Sequence, residues 1–268
     1  MTIALPLLGS ALLVLLGGPF ALAAGTWPLR RPRLALALWQ AIIAAVAAIS
    51  LAALSLCIAV AVAADDGDRL PWLVSAAALV VAWGGLAAVG GAASVLGVRI
   101  GQLRAADRAV RDEAESLIGA CSPHPSRVCG HNVTVIETAS PLVFSVPGRT
   151  PTIVLARCVQ ERLDAEQLRA VVEHERAHLS QHHDRVRRFA LLSSACLSGR
   201  WGTRRFERAA NLLIELAADD AAARVCGPEP LAGALAALSA AGGGETMRLR
   251  AARLTPRKSG SPLLSTQH

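Results

Sequence analysis

Ala170-Val171-Val172-Glu173-His174-Glu175-Arg176-Ala177-His178-Leu179 sets two histidines four positions apart with a glutamate directly after the first, the HExxH pattern. The run reads as helix, and on a helix residues four apart stack on one face about a turn from each other. Two imidazoles can therefore converge on one metal ion while Glu175 flanks it as a base. A lone helical histidine is ordinarily structural; the paired spacing with the intervening glutamate is what points to zinc. A catalytic zinc takes three protein ligands and keeps one position open for water, so a third ligand must come from elsewhere in the chain.

Working outward, Asp164 followed three residues later by Gln167 resembles a capping box that opens this helix. Leu168, Val172 and Leu179 would then face a sheet while His174 and His178 face a cleft. Upstream, the β-branched runs 132–137, 142–146 and 152–156 predict a small antiparallel sheet, with Pro147-Gly148 as a turn and 121–130 as a loop. The 152–156 strand, if it edges the cleft, could hold an extended substrate by strand addition. Residues 101–118 place Leu103, Ala106, Val110, Ala114 and Leu117 at helical spacing, as an amphipathic connection would.

Downstream, 206–224 reads as a helix containing Glu215-Leu216-Ala217-Ala218-Asp219-Asp220. Glu215 and Asp219 are one turn apart, so Glu215 could bind the metal and Asp219 could hydrogen-bond a ligating imidazole from behind. Solvated carboxylates would look the same at this level. The short apolar run within 186–197 is too short to span a bilayer and reads as an interfacial or buried helix. His182 and His183 read as a polar helix end. Cys121, His124, Cys129 and His131 match no standard zinc-knuckle spacing.

The first hundred residues are almost entirely apolar. Residues 2–24, 34–64 and 70–98 each reach the roughly 20 apolar residues that cross a bilayer, which predicts three spanning helices. The first lacks the positive flank of a signal peptide, although Ala21-Leu22-Ala23-Ala24 would suit cleavage. Arg30, Arg31 and Arg33 follow the first span, Asp65, Asp66 and Asp68 lie between the second and third, and Arg99, Arg104, Arg108 and Arg111 follow the third. Positive loops face the cytoplasm, so the amino terminus is expected outside and everything after Val98 inside. Trp27, Trp39 and Trp72 lie near span ends, where indole rings favour the interface.

The formal net charge is +7, with Lys258 the only lysine. Much of the excess flanks the spans, where anionic lipid attracts it, so no nucleic-acid partner is expected. Six cysteines without regular spacing, five of them in the part placed in the reducing cytoplasm, argue against structural disulfides. There is no tyrosine, which leaves His131, His182, His183, Arg185 and Arg187 as the types available to assist an oxyanion.

The order of Val133-Thr134-Val135, Phe144-Ser145-Val146-Pro147-Gly148-Arg149, Ile153-Val154-Leu155, the run from Leu163 to His178 and finally Glu215 to Asp220 resembles the BlaR/MecR-type antirepressor membrane zinc metallopeptidases, relatives of the HtpX-type membrane proteases. The resemblance covers about residues 99–224. It implies that His174, His178 and Glu215 bind zinc. Two departures are evident: a polar 254–268 tail stands where the family commonly has another span, and no extracellular penicillin-binding domain is present, so a β-lactam receptor role is not supported.

The expected architecture is thus an α+β membrane protein. A transmembrane region (1–98) leads through an amphipathic connecting helix and loop (99–130) to a zincin-like HExxH metallopeptidase domain (131–242) and a polar basic tail (243–268). The expected function is a Zn2+-dependent endopeptidase with a cytoplasmic active site, acting on a protein or peptide substrate beside the lipid bilayer, with a transcriptional repressor as the substrate the family suggests. Glu175 would be the catalytic base, and three ligands would leave zinc a water whose pKa falls to about 7. A quality-control protease and a non-proteolytic zinc-binding regulator are the alternatives; the intact Glu175 argues against the second.

Overall fold

The computed structural model describes residues 27–63, 72–148, 150–196, 203–240 and 244–255. The expected first span at 2–24, the acidic loop at 65–69, Arg149 and the tail from 256 onward lie outside the described residues. The chain divides into two compact units, residues 1–109 with 185–217, and Val110–Asp184 with Ala218–His268.

In the first unit a short helix α1 (Trp27–Arg30) leads into α2 (Pro32–Ala63), whose proline sits where a helix needs no backbone donor. The next helix, α3 (Trp72–Ala120), runs for 49 residues. The expected third span and the expected connecting helix are therefore one element: no proline lies near residue 98, and Gly97 and Gly101 alone cost only about 1 kcal/mol each against alanine. Two stretches, Pro32–Leu56 and Trp83–Ala120, are long and apolar enough to cross a membrane. Val80, Trp83 and Val98 on α3 are 71%, 67% and 62% exposed, a degree of apolar exposure that water penalises and lipid tails do not.

Trp39, expected near a span end, is buried against protein. Its ring meets Phe189 edge-on with centroids 5.4 Å apart, in a cluster with Ala190 and Ala210. The helix that carries Phe189, α6 (His183–Cys196), is thus partly buried against protein, one of the two readings its short apolar run allowed.

The second unit holds a four-stranded sheet of β1 (His124–Val128), β2 (His131–Ile136), β3 (Val143–Val146) and β4 (Thr152–Ala156). Its order is β1-β2-β4-β3, with β2 and β4 parallel and the other pairs antiparallel. The sheet is therefore mixed, where an antiparallel one was expected, and the segment expected as a loop at 121–130 contributes strand β1. Cys129 and Gly130 join β1 to β2 with φ of 52° and 85°, the positive pair that a two-residue hairpin turn requires.

Strand β4 is interior, not an edge. Four of its five residues are buried, as a strand covered on both faces and paired on both sides must be, so it has no free ladder for a peptide. The edge beside it is β3, which packs against α5 (Ala165–Ser180).

Asp164 caps α5 with its side chain accepting from Gln167 N at 2.8 Å, and Gln167 returns a bond to Asp164 N, the reciprocal box read from the sequence. Such a cap contributes about 1 kcal/mol. Leu168, Val171 and Val172 bury against Val133, Val135, Ile153 and Leu155 of the sheet, with Leu179 at the border of the same core. A short helix α4 (Arg157–Arg162) links β4 to α5.

Beyond α6, helix α7 (Thr203–Cys226) ends at Gly227, whose φ of 85° permits the break before Pro228 opens α8 (Pro228–Leu238). The segment expected as a polar tail from 243 begins with a further helix, α9 (Gly244–Leu254). Its Ala251, Met247 and Leu254 pack with Ala170, Ala222, Leu231 and Leu235, a helical spacing of apolar residues among arginines that reads as polar by composition alone.

Candidate metal centre

Helix α5 presents His174 and His178 one turn apart, as their spacing requires. Nε2 of His174 and Nε2 of His178 face each other at 3.1 Å. His174 is buried and His178 half-buried. Two nitrogens bound to a tetrahedral zinc at about 2.0 to 2.1 Å would stand about 3.3 Å apart, so the observed spacing suits a shared ion.

The other nitrogen of each ring is also placed. Nδ1 of His174 lies 3.0 Å from Oδ1 of Asp219, and Nδ1 of His178 lies 3.0 Å from Nδ1 of His183. A ligating imidazole needs its second nitrogen held by a partner, because that bond selects the tautomer and aims the lone pair. Both histidines meet that requirement, with their Nε2 atoms turned to a common point.

Asp219 sits on α7 and is completely buried. Burial alone would raise its pKa, but hydrogen bonds and charge from Arg250 and His174 outweigh it and hold the group at about 2, against an ordinary 3.8. Glu215 lies one turn earlier on the same uninterrupted helix, so the turn that carries Asp219 to His174 also sets Glu215. His174, His178 and Glu215 are the residues that could hold a metal ion. Two imidazoles and a carboxylate are a donor set suited to zinc with a position left open. Glu175, half-buried, follows His174 on α5.

Other expected participants have partners of their own. His131 pairs through Nε2 with Oε1 of Glu173 at 2.9 Å, and Arg176 Nε donates to Oε2 of Glu173 at 2.6 Å. Burial pushes the Glu173 carboxyl up, but these two donors more than offset it and leave it below its usual range. Arg187 donates to Asn211 at 3.2 Å and stands 3.8 Å from Oε1 of Glu215. Cys121 and Cys129 are free thiols.

Sequence reasoning missed Arg250 and gave His183 no part in holding a ligating histidine, only a possible one beside an oxyanion. His183 was read as helix-end polarity, yet it is 3% exposed and pairs with His178; a spacing of five residues signals no shared helix face, and only the left-handed turn at His182, φ 50°, brings the rings together. Arg250 donates to Asp219 from 31 positions downstream, and no local pattern announces it.

No curated protein and no solved structure matches the chain. Residues 104–236 match the family model described as Peptidase family M48, and this match supports the M48 metallopeptidase family for the segment that carries His174, Glu175, His178, Glu215 and Asp219.

Proposed function

We propose that the protein is a membrane-embedded zinc endopeptidase of the antirepressor BlaR/MecR-like type, with a cytoplasmic active site and a protein substrate. The observation that carries this reading is the pair of Nε2 atoms 3.1 Å apart, each backed on its Nδ1 side, with Glu215 one turn before Asp219 as the third donor. His174, His178 and Glu215 hold the metal; Asp219 and His183 orient the two imidazoles.

Zinc, when bound, supplies Lewis-acid polarisation of the scissile carbonyl and makes water acidic enough to act near neutrality. Glu175 accepts the proton of the attacking water and returns it to the leaving amine. Edge strand β3, beside α5, is the element suited to align an extended peptide by strand pairing. The bilayer location rests on α2 and α3, and the orientation on Arg99, Arg104, Arg108 and Arg111 after the apolar part of α3.

A Glu175→Gln protein tests this reading. It should retain zinc while losing peptide hydrolysis by a factor of roughly 10² or more, the least that general-base removal costs. Proteins cut in membranes carrying the wild type and spared in those carrying Glu175→Gln identify the substrate. Hydrolysis at wild-type rate by the purified variant would remove Glu175 as the base.

A further inference from the structure

The buried guanidinium of Arg250 lies beyond the segment that matches the peptidase family, which ends at residue 236. It is 7% exposed and is carried by α9, whose Met247, Ala251 and Leu254 anchor that helix in an apolar cluster. Its Nε donates to Oδ2 of Asp219 at 2.8 Å and its Nη2 to Oδ1 at 2.6 Å, a two-pronged fork on a carboxylate with no solvent exposure. Oδ1 is also the atom 3.0 Å from Nδ1 of His174, and Nη2 reaches to 3.4 Å from Nε2 of His174.

A carboxylate held by one imidazole alone can rotate about its Cβ–Cγ bond and lose the alignment. Held in plane by a guanidinium fork, it can rotate only by breaking two charge-assisted bonds at a buried carboxylate. We propose that Arg250 is a positioning residue of the metal centre: its fork locks Asp219, and Asp219 in turn aims Nε2 of His174 at the metal. This rests on the zinc reading above. It assigns to α9 a part in the site that neither the signature helix nor the Glu215 helix supplies.

Arg253 provides an internal control. It sits on the same helix and donates to the neighbouring Asp220 at 2.8 Å, and both partners are about a quarter exposed, unlike the buried Arg250–Asp219 pair. Loss of that pair weakens the docking of α9 without touching the Asp219–His174 bond. Lysine at position 250 keeps the charge but, as a point donor, cannot form the fork.

The test is zinc affinity of the full chain in detergent micelles, measured by competition with a chromogenic chelator using Zn2+ alone. Arg250→Met should weaken zinc binding by roughly 10 to 100 fold, the range for partners of ligating histidines, and Arg250→Lys should recover only part of it. Arg253→Met should stay within about twofold of wild type, since partly exposed pairs contribute little. Should Arg250→Met fold poorly, Asp219→Asn and Asp219→Asn/Arg250→Met remove the buried anion first, and the second change should then cost no further zinc affinity, because the fork has no carboxylate left to hold and the direct contact of Nη2 with Nε2 of His174 does not favour a metal there.

Wild-type affinity in Arg250→Met, an equal loss in Arg253→Met, or a further loss on adding Arg250→Met to Asp219→Asn would each overturn the proposal. A wild-type protein whose zinc binding is indifferent to both His174→Ala and Glu215→Ala would instead refute the metal centre itself.

Discussion

Nδ1 of His183 stands 3.0 Å from Nδ1 of His178, across the turn where α5 ends and α6 begins. One of these two nitrogens must carry the proton and the other accept it. If His178 offers its Nε2 lone pair to a metal, its proton is on Nδ1 and His183 is the acceptor. His183→Phe keeps most of the buried volume and removes the acceptor. Zinc affinity should fall by roughly 10 fold or more, as for other partners of ligating histidines. Chelator competition reads this directly, and unchanged affinity would leave His183 as packing only.

Glu215 and Asp219, one turn apart on α7, should separate cleanly. Glu215→Ala removes a ligand and should lose most bound metal after dialysis against a graded zinc buffer. Asp219→Ala removes a partner of His174 and should weaken affinity by roughly 10 to 100 fold. Full zinc occupancy in Glu215→Ala, by elemental analysis, would exclude it as a required ligand.

The depressed pKa of Asp219, about 2 against an ordinary 3.8, has a consequence for acid stability. The folded state binds this proton less readily than the unfolded chain, so the stabilisation is complete above about pH 4 and is lost as the pH falls towards 2. The amount is about 2 kcal/mol for a shift of this size. In chelator-treated protein the apparent unfolding midpoint should drop across that window, and Asp219→Asn should flatten the drop. A parallel decline in both proteins would show that other carboxylates dominate.

Topology is open to a reporter. The proposed orientation, which rests on the arginines after Val98, expects the chain beyond that point in the cytoplasm. An alkaline phosphatase fused after Ile100 should be inactive and a fluorescent protein at the same site bright. The reverse pattern would place the metal centre on the other side of the membrane.

Much of the centre was legible before any coordinates, for a physical reason. His174, Glu175 and His178 lie within one turn of a helix, as do Glu215 and Asp219, and the helical repeat converts those spacings into shared faces without help from the rest of the chain. The Asp164–Gln167 box and the continuous apolar character of α2 and α3 are equally local, since a cap or a lipid-facing helix is specified by neighbouring residues.

What depended on tertiary structure was order and pairing. Short β-branched runs announce strands, but only packing decided that β4 inserts between β2 and β3, making the sheet mixed and moving the free edge to β3. His183 reaches His178 because His182 takes a left-handed turn, and Trp39 is buried because Phe189, Ala190 and Ala210 offer it a protein surface. Arg250 is the clearest case: 76 positions separate it from His174, and it meets Asp219 only because Met247, Ala251 and Leu254 seat α9 in an apolar cluster. The sequence alone determined which residues could face one metal, because the helix repeat is local; tertiary packing alone decided which distant side chains hold them, because a buried charge takes whatever partner the fold brings within reach.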